Sequence, residues 1–180
     1  AYTAEERTLP QEEQDKAFPL QTKGQYRPEE SEDRQPKKQT LLIVDDDTEV
    51  VHYLKALLSP YYKIVCRFDA DSAFRAMGEE APDLVLSDIV MPGKNGYELC
   101  RQIKDDLQLC HIPVILVTAK ATVENQVEGL NTGADAYVTK PFEPNYLLAL
   151  IKSQLKNREK VRNLLSQSTQ TDKIEQNVLS

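Results

Sequence analysis

The sequence predicts an α/β fold in which helices cover both faces of a doubly wound, five-stranded parallel sheet. Short apolar runs of strand length alternate with stretches whose apolar residues recur at helical spacing. The strand runs are continuously apolar rather than alternating, which indicates strands buried on both sides. Right-handed crossovers between parallel strands place helices on both faces, and we expect the strand order 2-1-3-4-5.

The apolar runs, and the residues that interrupt them, give the bounds of the predicted elements. The predicted strands are 41–44, 62–66, 84–86, 113–117 and 136–138. The predicted helices cover 50–58, 72–80, 97–107 and 123–130, and a last, long helix follows Phe142. A loop rich in Pro and Gly over 91–96 separates the third strand from its helix, and Gly133 is placed to cap the fourth helix.

The two ends of the chain differ in composition from the middle. Residues 1–39 are rich in Glu, Gln, Lys and Pro, and their scattered apolar residues follow no period. Such a segment buries too little apolar surface to offset the entropy of ordering, so we predict a disordered linker there and a domain over 40–155. We interpret 156–180 as an extension of the last helix and a linker toward a further module, with a frayed tail as the alternative.

Composition argues against several classes of partner. The chain has 22 Lys plus Arg against 29 Asp plus Glu and a net charge of -7, so it offers no basic footprint for nucleic acid or an anionic membrane. It contains no run of ~18 apolar residues, so no membrane span is expected in this fragment. A cytoplasmic protein with reduced thiols at Cys66, Cys100 and Cys110 fits these features.

Acidic residues follow the two strands between which the winding of the sheet reverses. Asp45 and Asp46 come directly after the first strand, and Asp88 ends the third. Neighbouring strands lie only ~5 Å apart, so these carboxylates need a positive charge among them. Mg²⁺ prefers oxygen ligands from one or two carboxylates, water and phosphate. The sequence therefore predicts a magnesium site at this edge.

Two further strand ends complete the predicted site. Thr118 offers a hydroxyl donor after the fourth strand, and Lys140 brings an ammonium group after the fifth. Taken singly, these residues and Asp88 have ordinary explanations, as a strand-end hydroxyl, a surface charge and a capping carboxylate. Their convergence on one edge of a single predicted sheet favours a phosphoryl-transfer site.

The strand ends resemble the four signatures of response-regulator receiver domains, here LIVDDD at 42–47, LSDIVMP at 86–92, VTA at 117–119 and YVTKPF at 137–142. The resemblance spans roughly 40–155 and implies the flavodoxin-like receiver fold. With linkers predicted on both sides, the chain looks like the internal receiver of a hybrid sensor histidine kinase. A histidine kinase would phosphorylate Asp88, and the domain would catalyse only its own phosphorylation and dephosphorylation.

The resemblance also implies which residues hold the metal. Asp46 and Asp88 would bind Mg²⁺ directly, the backbone carbonyl of Val90 would add a ligand, and Asp45 would act through water. Lys140 and Thr118 would stabilise charge on the phosphoryl oxygens. The Lys140–Pro141 bond resembles one that is cis in the family, a conformation that an X–Pro bond tolerates.

The signal would leave through the fourth helix, fifth strand and fifth helix. Phosphorylation would draw Thr118 inward and vacate space for a ring, and the resemblance makes Tyr137 that rotating switch. We expect two phosphorylated protomers to pair through the same surface, which includes Val123, Gln126, Val127 and Tyr146.

Two other functions draw on the same residues. Haloacid-dehalogenase-like phosphatases also place an aspartate nucleophile and Mg²⁺ at a strand end, but their Asp-x-Asp-x-Thr/Val pattern would put the nucleophile on the first strand and is broken here by Glu49. A receiver-like docking module would take no phosphate at all. Every catalytic position is filled in this sequence, which argues against that module.

Overall fold

Five parallel strands and five helices alternate in the computed structural model, which describes residues 36–119 and 123–178. The elements are β1 Thr40–Val44, α1 Thr48–Leu58, β2 Lys63–Arg67, α2 Ala70–Glu80, β3 Leu84–Asp88, α3 Gly96–Asp105, β4 Val114–Thr118, α4 Val123–Asn131, β5 Ala136–Thr139 and α5 Pro144–Val178. The strands lie in the order β2-β1-β3-β4-β5. The predicted fold class and strand order are confirmed. Most of the predicted linker 1–39 lies outside the described residues.

The sheet separates two hydrophobic layers. Alternate residues of β1 show this, because Leu42 and Val44 pack with residues of α2 and α3, whereas Leu41 and Ile43 pack with residues of α1 and α5. Side chains of β1 and β4 are covered whichever way they point, which is why these two strands are buried along their whole length. Polar and apolar residues therefore do not alternate along β1 and β4.

Three helices begin one or two residues earlier than predicted because polar side chains cap them. Asp47 accepts hydrogen bonds from the first-turn N–H groups of α1, Asp69 accepts one from the N–H of Ser72 in α2, and Asn95 forms a capping box with Glu98 in α3. Asp47 therefore has a structural task, although it follows the two acidic residues of the predicted metal site.

Helix α5 packs on the sheet through its first half and continues beyond it. Leu147, Ile151 and Leu155 are buried, and among the described side chains past the predicted domain end Val161, Leu164 and Leu165 are apolar and exposed. None of the described helices combines the length and apolarity needed to cross a lipid bilayer. Cys66, Cys100 and Cys110 are free thiols, as predicted.

An ion pair joins α5 to the sheet at the end opposite the predicted site. Arg158 donates hydrogen bonds from one guanidinium nitrogen to the Asp83 carboxylate at 2.8 Å and to the Asp83 carbonyl at 2.9 Å. The other carboxylate oxygen of Asp83 accepts a 2.8 Å bond from the backbone N–H of Thr40. The start of β1, the residue before β3 and α5 thus meet at one aspartate.

Candidate functional site

Three carboxylates meet at the carboxyl edge of the sheet. Asp45 and Asp46 follow β1, Asp88 ends β3, and these two strands are paired in parallel. One oxygen from each residue lies within 4.8 Å of the other two. The side chains of Asp45 and Asp88 are 3% and 11% exposed, whereas Asp46 is exposed. The cluster is thus buried on one side and open to solvent on the other.

Lys140 enters this acidic cluster from the end of β5. Its Nζ donates a 3.0 Å hydrogen bond to Oδ2 of Asp45 and lies 3.5 Å from Oδ1 of Asp88. The backbone N–H of Lys140 donates to the carbonyl of Thr118 at 2.7 Å, which fixes the end of β5 against β4. The Lys140–Pro141 bond is cis, as the resemblance implied.

The charges of the cluster are not balanced by its own residues. Burial raises the pKa of Asp88, and the neighbouring Asp45 raises it further, against the opposing effect of Lys140. Burial alone would lower the pKa of Lys140, but its bond to Asp45 and the attraction of Asp88 outweigh it, so the pKa of Lys140 is raised and the amine stays charged. The cluster thus contains three carboxyl groups and only one ammonium group.

This donor set fits a magnesium ion. The clustered groups are all carboxylates, which are hard oxygen ligands, and one divalent cation would neutralise the excess charge. The exposed Asp46 leaves the cluster open toward water, which suits an ion that retains part of its hydration shell.

The remaining predicted site residues lie around this edge. Thr118 ends β4 and is 1% exposed, and β4 pairs with both β3 and β5. Val90 lies two residues beyond Asp88, with its side chain 62% exposed. Tyr137 lies in β5, where its hydroxyl is 3.4 Å from that of Tyr97 in α3. Tyr97 is buried, and nothing in the sequence patterns singled it out.

Part of the predicted output surface can be placed. The side chains of Val127 in α4 and Tyr146 in α5 are 52% and 56% exposed. The side chains of Val123 and Gln126 lie outside the described part of the chain.

Gly96 is a second residue that the sequence patterns did not reveal as part of the site. Its N–H donates to the carbonyl of Ile89 at 2.9 Å. A Cβ at this position would overlap the carbonyl oxygen of Asp88 and would lie 2.9 Å from Cα of Ile89. The start of α3 therefore rests directly on the backbone that presents Asp88, and only glycine permits that approach.

A comparison with protein families decides which class of protein carries this arrangement. Residues 41–152, more than half of the chain, match the family model described as "Response regulator receiver domain". The chain belongs to the response-regulator receiver family. The fold and the strand order of this receiver agree with membership of that family. The haloacid-dehalogenase-like alternative therefore loses its support.

The chain is similar to part of a much longer protein and to receiver domains of known structure. Histidine kinase P4 of Formosa agariphila is 36% identical over 126 residues, which are 70% of this chain but only 9% of that protein. A CheY-like receiver domain protein of Methanospirillum hungatei is 35% identical with a TM-score of 0.65, covering 69% of this chain and 98% of that one. The receiver domain of a signal transduction histidine kinase from Syntrophus aciditrophicus is 34% identical with a TM-score of 0.63, covering 66% and 91%.

The contact beneath Asp88 predicts opposite effects for two glycine substitutions in this receiver. Gly96→Ala should lower the free energy of unfolding by about 1–3 kcal/mol, because the added methyl group meets backbone that cannot yield without moving Asp88. Gly78→Ala is the matched control, because Gly78 is an exposed residue of α2 where an added Cβ meets nothing within 4 Å. It should stabilise the domain by roughly 0.5–1 kcal/mol. Urea unfolding followed by circular dichroism measures both, and a Gly96→Ala domain as stable as the parent would contradict the contact.

Proposed function

We propose that this receiver accepts a phosphoryl group from a histidine kinase on Asp88, with Mg²⁺ bound beside it, and relays the signal through α4, β5 and α5. The observation that carries the proposal is the position of Asp88, a largely buried carboxylate within a three-aspartate cluster that Lys140 enters from β5. Burial keeps the carboxylate out of bulk water, and the open side at Asp46 admits the donor.

The contacts of the cluster favour Asp88 over Asp45 as the nucleophile. Both oxygens of Asp45 accept close hydrogen bonds, Oδ1 from the N–H of Asp47 at 2.9 Å and Oδ2 from Lys140 at 3.0 Å. Asp88 meets Lys140 only at 3.5 Å. An oxygen that already accepts strong bonds is a poorer nucleophile, so Asp45 supports the site and Asp88 reacts.

The reaction is an in-line displacement at phosphorus. An Asp88 oxygen attacks the phosphorus of a phosphohistidine on the kinase, an O–P bond forms as the P–N bond breaks, and the imidazole nitrogen keeps the electron pair. Lys140 and the Thr118 hydroxyl donate hydrogen bonds to the equatorial phosphoryl oxygens. Water later cleaves the acyl phosphate and restores the aspartate.

The metal is assigned to the residues that the family resemblance matches. Asp46, Asp88 and the backbone carbonyl of Val90 hold Mg²⁺, and Asp45 acts through a water molecule. When bound, the ion neutralises the excess negative charge and that of the incoming phosphoryl group.

Substitution of the acceptor tests the phosphorylation directly. Incubation with acetyl phosphate and Mg²⁺ should add the mass of one phosphoryl group to the chain, in a base-labile form, whereas Asp88→Asn should add none. Asp71→Asn is the control, since Asp71 is an exposed carboxylate on α2 that pairs with Lys94 and is not one of the three clustered carboxylates. Intact-mass spectrometry gives the readout. Equal labelling of Asp88→Asn would disprove the assignment of the acceptor.

Substitutions of two neighbouring aspartates distinguish the loss of a metal ligand from the loss of a negative charge. Asp46→Asn should raise the Mg²⁺ concentration needed for half-maximal phosphorylation by at least about tenfold, because it removes a ligand from the ion. Asp47→Asn removes the same charge one residue away and keeps a good helix cap, so its Mg²⁺ titration should match the parent. If both variants required the same Mg²⁺ concentration, the assignment of Asp46 would be wrong.

The output surface and the wider protein form the last part of the proposal. Phosphorylated protomers pair through α4, β5 and α5, where Val127 and Tyr146 present exposed apolar surface. The chain is the cytoplasmic internal receiver of a hybrid sensor kinase, a placement supported by relatives named as histidine kinases.

Pairing predicts a change of mass on activation. Addition of beryllofluoride and Mg²⁺ should double the sedimenting mass of the receiver, and Val127→Glu should keep it monomeric because a charge would be buried in the pair. Analytical ultracentrifugation measures both. A monomer under all conditions would exclude pairing through this surface.

A further inference from the structure

Two tyrosine hydroxyls meet beneath α4. Tyr97 comes from α3 and is 5% exposed, while Tyr137 comes from β5 and is half-buried. Their oxygens are 3.4 Å apart. Hydroxyl bonds are usually about 2.7–2.8 Å long, so this one is weak and a small movement of either ring can break or tighten it.

The backbone of α4 rests on the same two rings. A Cβ at Gly129 would lie 3.0 and 3.1 Å from Cδ2 and Cε2 of Tyr137, and 3.6 Å from Cε1 of Tyr97. The space that holds the Tyr137 ring therefore depends on the absence of a side chain at residue 129. A single methyl group would press on the ring.

Strand pairing connects this pocket to the phosphoryl site. Leu116 is paired with Tyr137, and Thr118 with Thr139, in adjacent parallel strands. Because side chains alternate along a strand, Tyr137 and Thr118 point to the same face of the sheet. The ring and the strand-end hydroxyl are thus diagonal neighbours.

We propose that Tyr97 and Gly129 are positioning residues for the switch, in which the Tyr97 hydroxyl holds Tyr137 inward and Gly129 leaves room for its ring. The inference rests on the proposed function, because the inward position is the one that an occupied phosphoryl site favours. Stabilising that position must strengthen binding at Asp88, because a bound group that favours the inward ring is itself bound more tightly when the ring is inward. The contact thereby links α3 and α4 to the phosphoryl site.

Tyr97→Phe removes one oxygen and keeps the ring. Its affinity for beryllofluoride, measured by calorimetry in saturating Mg²⁺, should fall about two- to tenfold, the range that one net hydrogen bond accounts for. Gly129→Ala should bind more weakly as well, although alanine is the better helix former and should not destabilise α4 through its propensity. Tyr61→Phe, at a 60% exposed tyrosine, is the control and should bind like the parent.

A spectroscopic readout separates switch positioning from general packing. With tyrosine labelled by ¹³C at Cζ, and Tyr137 assigned from its loss in Tyr137→Phe, the Tyr137 signal should shift in Tyr97→Phe and in Gly129→Ala. Parental affinity in both variants, together with an unmoved Tyr137 signal, would overturn the inference and leave the proposed function intact. If beryllofluoride bound the parent and Asp88→Asn equally, both proposals would fall.

Discussion

Repulsion among Asp45, Asp46 and Asp88 is the interaction on which the rest of the site depends. The parallel pairing of β1 and β3 forces these carboxylates together, and Lys140 offsets only one of the three charges. Bringing charges together in a partly buried place costs free energy, so the hydrophobic layers on both faces of the sheet must supply it. The fold holds together an arrangement that would otherwise disperse, and the concentrated negative charge is the feature of this edge that would attract a cation.

Hydrogen bonds and a close backbone contact hold the carboxylates of the cluster in place. Asp45 is held through both oxygens, and Lys140 is held through its backbone bond to Thr118. Gly96 lets α3 lie against the carbonyl of Asp88, so the backbone that presents this carboxylate is supported from below. The N–H of Asp45 also donates to the carbonyl of Arg67 at the end of β2, so residues at or just beyond the carboxyl ends of all five strands take part in fixing the cluster.

Sequence patterns predicted the sheet and the strand-end residues because each depends on short stretches of chain. A continuous apolar run with an acidic or hydroxyl residue at its end is readable within about six residues, and the winding rules then bring the ends together. Helix starts were less well predicted, because a cap such as Asp69 lies outside the apolar period. Ala81 adopts a left-handed conformation after α2, at a position where glycine is usual, so composition gave no signal there.

Contacts between distant elements could not be read in the same way. Tyr97 and Tyr137 are 40 residues apart, and their approach depends on how α3 and α4 pack over β4 and β5. Gly96 lay in a segment whose glycines indicated only a loop, and its close approach to Asp88 became evident from the packed backbone. Each reactive residue could therefore be identified from a short stretch of sequence, whereas the contacts that support these residues could not.

The Arg158–Asp83 joint gives α5 the geometry of a lever. The helix is held by its buried first half and by this ion pair, and 20 residues follow Arg158 up to and including Val178. At a rise of 1.5 Å per residue those turns span about 30 Å, so a tilt of roughly 10° at the joint would carry the tip through about 5 Å. A rearrangement too small to notice within the sheet would thus become a displacement comparable to one helical turn at the far end of the rod.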